Sequence, residues 1–389
     1  MFIRLKILLL DWCLSLLAPF YRWKHGPFSP PNGKKRLVII RNDFMGDFVV
    51  FLPAALALKQ ALPDYYITIL ITEPIAEWAK KCPAFDEVLV LRPAPEKLPL
   101  IVRLRQFLIM RTLNAEVLIN ALHGRNGDTD LLAFASPAKR KYAFGLGQWT
   151  HPQRERIVFY ERFYSEVVAF APQTPIAELY RQLLEKATGK TISLSPVPPH
   201  TWEFLKDKEK QVAAEDYAVI VPGANDCRRR WPIESFVTVV RDLQKAFPKI
   251  VWLVTGTAKE QALGQILANE VHAENFCGRL SLPQLAALLA NARLVISNDT
   301  GSSHLASLLG VATLTILGGG HFGVYAPCPL RPSLIAIFKS MPCYNCNWKC
   351  EQGDCGTYPC VSAVSPYEII SRAVAVLRRA MPMSSSITD

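Results

Sequence analysis

From residue 36 the chain alternates short β-branched apolar runs with longer stretches whose apolar positions recur every three or four residues. That is the pattern of a parallel sheet covered by helices. The first set is RLVII (36–40), a helix through FVVFLPAALALKQAL (48–62), ITILIT (67–72), EVLVL (87–91), a helical stretch near 98–113 and AEVLINAL (115–122). Pro-rich, charged sequence intervenes near 194–210. The second set is YAVIVPG (217–223), IESFVTVVRDLQKAF (233–247), IVWLVTG (250–256), AKEQALGQILANEV (258–271), SLPQLAALLANA (281–292), RLVISNDTG (293–301) and ATLTILGG (312–319). The reading is therefore α/β, with two doubly wound halves over residues 34–200 and 201–365, an arm at 1–33, and a final helical segment at 366–389. Open sheets of this kind bind ligands at the carboxyl ends of their strands, where strand order reverses; two facing halves would enclose a cleft. Neither half carries G-x-G-x-x-G or G-x-x-x-x-G-K-[ST], which disfavours a nicotinamide oxidoreductase and a P-loop kinase.

Composition supports two cores. Half of the 389 residues are apolar, with 19 Phe, 12 Tyr and 8 Trp, enough to exclude whole-chain disorder. The net charge is +11, but residues 1–41 carry +7 of it and the other 348 only +4. With no basic stripe on the body of the chain, nucleic acid is not an expected partner. The arm, MFIRLKILLLDWCLSLLAPFYRWKHG, is an apolar run with basic flanks and Asp11 in its middle. The carboxylate, and the bulky Phe20, Tyr21 and Trp23 after it, argue against a cleaved signal, and Ile7 to Phe20 is too short to span a bilayer. Two readings stay open: a helix lying in the interface of an anionic leaflet, or one packed on its own domain.

Three segments carry candidate chemistry. Arg41-Asn42-Asp43-Phe44-Met45-Gly46-Asp47 follows the first strand. Gly46 is expected to supply an unusual backbone angle, and Asp47 is either a helix cap or a general base, with Asp43 a second possible base. Asn298-Asp299-Thr300-Gly301-Ser302-Ser303-His304 lies between a strand and an apolar helix. Amides at that helix start, beside small residues, suit a diphosphate; His304 is read either as a structural residue or as a phosphate contact. Pro222 to Pro232 contains Arg228, Arg229 and Arg230 in succession, a cationic site for phosphate oxygens or a solvated charge run.

Together these segments resemble glycosyltransferase family 9, the lipopolysaccharide heptosyltransferases, over about residues 36–330. The resemblance rests on MGD before a helix with Pro53, R-R-W-P, RLSL at 279–282, DTGSSH, and GGGHFG at 318–323. It implies the GT-B fold: two Rossmann-like domains facing a central cleft, the last helix returning to the N-terminal domain. Carried over by motif, Asp47 is the catalytic base, Arg229 a donor-phosphate contact, Glu260 a contact to the donor ribose, and Leu280 a wall of the adenine pocket. Asp299, Thr300, Gly301, Ser302 and His304 form the donor-binding motif. Arg41, Asp43 and Gly46 belong to the acceptor-side turn. Two departures, Asp43-Phe44 in that turn and Asn120 where the family often has an acid, fall on the acceptor side. The implied reaction is inverting, metal-independent transfer of a heptose from ADP-heptose to a lipid-linked lipopolysaccharide core acceptor. The implied setting is cytoplasmic, peripheral on the inner face of a bacterial inner membrane. The alternatives are another GT-B enzyme, either a transferase or an epimerase, and a non-catalytic membrane-associated or metal-binding protein.

Five of the ten cysteines, Cys343, Cys346, Cys350, Cys355 and Cys360, are spaced C-x2-C-x3-C-x4-C-x4-C. Their density permits a structural zinc or an iron–sulfur cluster, but the paired C-x2-C of a zinc ribbon is missing. No cofactor is required by the reaction, and cysteine-containing tails recur in the family, so the segment is expected to be structural.

Overall fold

The computed structural model describes residues 2–25, 29–42, 44–91, 99–146, 154–171, 173–207, 216–350 and 356–380. It divides into two units, Met1–Leu194 and Ser195–Asp389.

The first unit begins with helix α1 (Phe2–His25). Its strands are β1 (Lys35–Ile40), β2 (Tyr65–Thr72), β3 (Glu87–Leu91), β4 (Val117–Asn120), β5 (Arg140–Phe144) and β6 (Glu166–Val168). All pair in parallel, in the order β3-β2-β1-β4-β5-β6. The covering helices are α2 (Met45–Ala61), α3 (Glu73–Lys81), α4 (Leu100–Thr112), α5 (Gly127–Ala135), α6 (Arg154–Tyr160) and α7 (Ile176–Thr188). Strands buried on both faces read as continuous apolar runs, and β1, LVII after its charged start, is buried from Arg36 onward. Val38, Ile40, Leu70 and Leu118 pack with Phe107 and Leu108 of α4, Leu131 and Leu132 of α5, and Leu14 and Ala18 of α1. Each large apolar side chain taken from water there contributes about 1.5–3 kcal/mol. No described helix is long and apolar enough to cross a membrane.

The second unit repeats the plan. Its strands are β7 (Tyr217–Val221), β8 (Val251–Val254), β9 (Glu274–Asn275), β10 (Leu294–Asn298), β11 (Thr313–Leu317) and β12 (Leu334–Phe338). They form a parallel sheet ordered β12-β11-β10-β7-β8-β9. Its helices are α8 (Ile233–Ala246), α9 (Gln261–Val271), α10 (Leu282–Ala290), α11 (Gly301–Leu308), the short α12 (Pro359–Ser362) and α13 (Pro366–Ala380). Counted from its own first strand, each sheet runs 3-2-1-4-5-6, the doubly wound order. In both, the reversal falls between the first and fourth strands: β1 and β4, then β7 and β10. The last helix, α13, buries Ile369, Ala373 and Leu377 in the core of this second unit, where Phe236, Val240 and Leu243 of α8 also lie.

Candidate active site

The second switch point is closed by one side chain. Asn298, buried at the end of β10, donates from Nδ2 to the carbonyls of Pro222 (2.7 Å) and Gly223 (3.3 Å), and its Oδ1 accepts from the Trp231 amide at 3.0 Å. The loop after β7 is thereby fastened to the end of β10, which brings Arg229 and Asp299 together. Arg229 Nη2 lies 3.2 Å from the Asp299 carbonyl and 3.4 Å from its Oδ2. Asp299 Oδ1 is 3.4 Å from His304 Nε2. On the other side of the imidazole, Arg331 Nη1 meets His304 Nδ1. Because a guanidinium only donates, Nδ1 must be the acceptor and the ring proton sits on Nε2, toward Asp299.

Electrostatics fit that arrangement. Burial, followed by the Arg331 and Arg229 charges, holds His304 well below the usual imidazole range, so the ring is neutral. Burial pushes the Asp299 carboxyl up, opposed by Arg229 and Arg331. α11 starts beside these groups, with Thr300 and Ser303 closing a capping box. A helix leaves the amides of its first turn without internal acceptors, and here they belong to the small residues Gly301 and Ser302. Anion chemistry is the one such a corner is suited to.

The three consecutive arginines do not act as one cationic cluster. Arg228 turns back on Asp226, with Nε 3.1 Å and Nη2 2.9 Å from its carboxylate, and Arg230 donates to the Ala224 carbonyl at 3.0 and 3.1 Å. Arg229 alone of the three reaches Asp299. Glu260 sits in a capping box, its Oε2 accepting from the Thr257 amide (2.7 Å) and hydroxyl (2.9 Å). Its carboxylate lies against Gly223, where a Cβ would stand 1.9 Å from Oε1. Leu280 is half-buried in the turn after β9.

In the first unit, Asp47 lies half-buried in the first turn of α2. It is not the cap: the N-cap is Phe44, which makes no side-chain cap bond. Gly46 is likewise a first-turn helical residue, so it does not provide the special backbone angle expected of it; the turn is held from outside by Arg41. That guanidinium is fully buried and donates to the Ala121 carbonyl (2.7 Å), the Tyr180 hydroxyl (2.7 Å) and the Asp47 carbonyl (2.9 Å), with Phe51 and Tyr180 rings against it. Asp43 lies outside the described residues. Asn120, at the end of β4, donates to Thr129 Oγ1, Asp130 Oδ1 and the Tyr164 hydroxyl. An acid is still present there, as Asp130, buried beside Arg125 at 3.2 Å; burial raises its pKa to about 6.

Residues given no role from the sequence complete the second site, one of them, His321, inside the GGGHFG run. Trp348, from the cysteine-rich segment, lies 4.4 Å under the Arg229 guanidinium and edge-on to His321 at 5.8 Å. His321 Nε2 bonds Asn347 Oδ1 at 2.7 Å, and burial lowers its pKa to about 4. Trp348 needs the glycines after β11: a Cβ on Gly320 would meet its ring at 2.2 Å, and one on Gly318 at 2.7 Å. Cys343, Cys346, Cys350 and Cys360 line one cavity of about 10 Å³, and the Gly319 amide donates to Cys360 Sγ at 3.2 Å. Cys355 lies outside the described residues. Among the described residues, no group of three or more His, Cys, Asp or Glu side chains is arranged to hold a metal ion. The physical role visible for the segment is packing, with Trp348 and Asn347 carried onto the site.

Comparison with known proteins bears on family and fold. The sequence pattern of glycosyltransferase family 9 (heptosyltransferase) matches residues 147–353. Lipopolysaccharide heptosyltransferase 1 of Pseudomonas aeruginosa is 26% identical over 331 residues, covering 80% of this chain and 86% of the relative. The E. coli heptosyltransferase WaaC with ADP superposes with a TM-score of 0.66 at 19% identity, covering 88% of this chain and 99% of that one. The same enzyme with ADP-2-deoxy-2-fluoro heptose gives a TM-score of 0.62 at 20% identity, over 87% and 99%. At those identities the structures speak to fold, two parallel six-stranded sheets of the GT-B type.

Proposed function

The chain belongs to glycosyltransferase family 9, and from that premise we propose that it transfers a heptose from ADP-heptose to a hydroxyl of a lipopolysaccharide core acceptor, with inversion and without a divalent metal. The observation that carries this reading is the Arg229–Asp299–His304–Arg331 corner at the switch point of the second sheet. Support for the donor comes from relatives whose names specify lipopolysaccharide heptosyltransferase and a structural neighbour bound to an ADP-heptose analogue.

In this reading Arg229 and the first-turn amides of α11 face the donor diphosphate, with neutral His304 behind them, its Nε2–H held toward Asp299. Their task is to stabilise the negative charge that develops on the leaving ADP, the effect expected to dominate when donors are pre-aimed at that charge. Glu260 and Leu280 would contact ribose and adenine. Asp47 would remove the proton from the acceptor hydroxyl as that oxygen attacks the anomeric carbon opposite the departing phosphate. Arg41 supports this by fixing the carbonyl of the same residue, leaving the carboxylate on the first turn of α2.

The test is Asp47→Asn, which keeps the shape of the turn. Transfer should fall by at least about 10²-fold, the lower end of a general base's contribution, while ADP affinity by calorimetry stays within about twofold. Undiminished transfer by the variant would remove Asp47 from the role of base. Turnover in EDTA should match that in magnesium. A screen of ADP-, UDP- and GDP-sugars by thermal shift should single out the ADP form, because a ligand of the native state at a hundred times its Kd stabilises by about 2.7 kcal/mol. Product formation from donor alone would instead identify an epimerase.

A further inference from the structure

Helix α1 has two apolar faces, and only one is used by the fold. Leu14 and Ala18 are buried in the first unit's core, Leu10 and Tyr21 pack against it, and α1 lies along α4. Polar contacts fasten the same side: Arg111 of α4 reaches Asp11 at 3.1 Å and the Ser15 hydroxyl at 3.0 Å. The helix is therefore held in a fixed rotation about its axis.

The opposite face carries Leu9, Trp12, Leu16, Phe20 and Trp23, spaced three and four residues apart and so aligned on one stripe. They are 54, 63, 59, 62 and 80% exposed. A stripe of that kind is large for a protein surface in water. Its borders are basic: Arg22 and Lys24 are exposed on the last turn, and a groove of about 740 Å³ beside the stripe is lined by Arg22, Arg111, Trp23, Pro19 and Pro137. The stripe, the indole rings and the cations sit on an element that the rest of the unit already holds rigidly.

We propose that this face of α1 docks the protein onto an anionic lipid bilayer, the stripe entering the headgroup and acyl boundary and Arg22 and Lys24 meeting lipid phosphates. Charge decides the occupant. A second copy of the same face would bring Arg22 and Lys24 against their own kind, which like-charge juxtaposition disfavours, whereas an anionic leaflet complements them. Trp at the border of an apolar stripe with flanking Lys and Arg is the arrangement an interfacial helix requires. Docking by this face does not depend on the sugar-transfer reading.

The experiment is cosedimentation of the full chain with sucrose-loaded vesicles of phosphatidylcholine, alone or with about a quarter phosphatidylglycerol. Partition onto the anionic vesicles should exceed that onto neutral ones by at least about tenfold at about 0.05 M salt and shrink at about 0.5 M. Leu16→Glu with Phe20→Glu, both on the solvent face, should lower partition onto anionic vesicles at least about tenfold while leaving the unfolding midpoint unchanged. Arg22→Glu with Lys24→Glu should abolish the preference for anionic over neutral vesicles. Equal partition of wild type and Leu16→Glu/Phe20→Glu overturns the proposal, as does equal partition of the wild type onto both vesicle types. It is also overturned if the wild type ignores vesicles and sediments as a dimer that the variant dissolves. No sugar enters the assay, so each of these failures would leave the transferase reading standing, and loss of transfer would leave this one standing.

Discussion

Gly223 is where the second site can be tested by adding a single carbon. It lies just past Pro222 at the end of β7, and the Cβ of an alanine there would fall 1.9 Å from Glu260 Oε1 and 2.1 Å from its Cδ. Ordinary contacts are nearer 3.5 Å, so the carboxylate must leave. It is not free to do so cheaply, because Oε2 closes the capping box on Thr257 at 2.7 and 2.9 Å. Gly256 also leaves room for this carboxylate, since a Cβ there would fall 2.8 Å from Oε2. Losing a cap costs about 0.5–2 kcal/mol and hydrogen bonds to a charged acceptor about 1.5–3 kcal/mol; with partial recovery of solvation, about 2 kcal/mol is expected for Gly223→Ala. At about 2–4 °C per kcal/mol for units of this size, thermal unfolding should fall by about 4–8 °C. Glu260→Ala loses the same cap. In that background the offending oxygens are gone, and adding Gly223→Ala should cost less than about 0.5 kcal/mol, giving a coupling near 2 kcal/mol in the double-mutant cycle. If Glu260 also contacts the donor ribose, as proposed, Gly223→Ala alone should weaken ADP binding about tenfold. An equal loss from Gly223→Ala in both backgrounds would show that the glycine serves something other than room for Glu260.

Two further outcomes are expected. Trp348→Ala removes the ring beneath Arg229; a cation–π contact is worth about 0.5–2 kcal/mol, so ADP Kd should rise between about twofold and thirtyfold while Trp348→Phe recovers part of it, and calorimetry showing no change in either variant would detach the tryptophan from the phosphate site. The buried histidines set an acid limit: with His304 and His321 depressed in the native state, the unfolded chain binds more protons below about pH 6.5. For His321 the stabilising contribution is present above that pH and is lost toward about 4, with a slope of up to about 1.4 kcal/mol per pH unit, and depressed His304 acts in the same direction. Asp299 is raised and works in the opposite sense, so the difference between wild type and His321→Gln isolates one ring: urea unfolding between about pH 7 and pH 5 should show a shallower acid loss in the variant, and parallel curves would mean His321 is not depressed.

What could be read from the chain follows physical range. Buried parallel strands announce themselves locally, and EVLVL was expected at 87–91, where β3 runs Glu87–Leu91. Strand β6 has only three residues and β5 opens on Arg140 and Lys141; neither leaves a run long enough to see, and the pattern does not reveal helices α5, α6 and α7 beside them. LIAIF of β12 is a fair strand in isolation, but it follows a Pro-rich loop that masks the alternation. Within the site, Arg229, Asp299 and His304 were visible because strand ends and helix starts are local features. Arg331 and Trp348 arrive from irregular loops, through contacts that span 27 residues to His304 and well over a hundred to Arg229, and no periodicity encodes such an approach.

The two sheets share one topology, so their difference in chemistry has to come from how each uses the arginine at its switch point. Arg41 is fully buried, and the carbonyls of Ala121 and Asp47 and the Tyr180 hydroxyl take its protons. A cation buried and committed in that way is shielded from an incoming phosphate; what it fixes is the backbone that carries Asp47. Arg229 keeps about a quarter of its side chain exposed, with a face on Trp348 and longer contacts, 3.2 and 3.4 Å, to Asp299. Contacts of that length are exchanged at little cost for a diphosphate, which offers shorter, charge-assisted bonds. An arginine near the switch point of each sheet is thus structural in one and available in the other. This favours a first unit that positions a proton acceptor and a second that binds the anionic donor, and it explains why an arginine in the loop after a strand, read without its partners, fits either task.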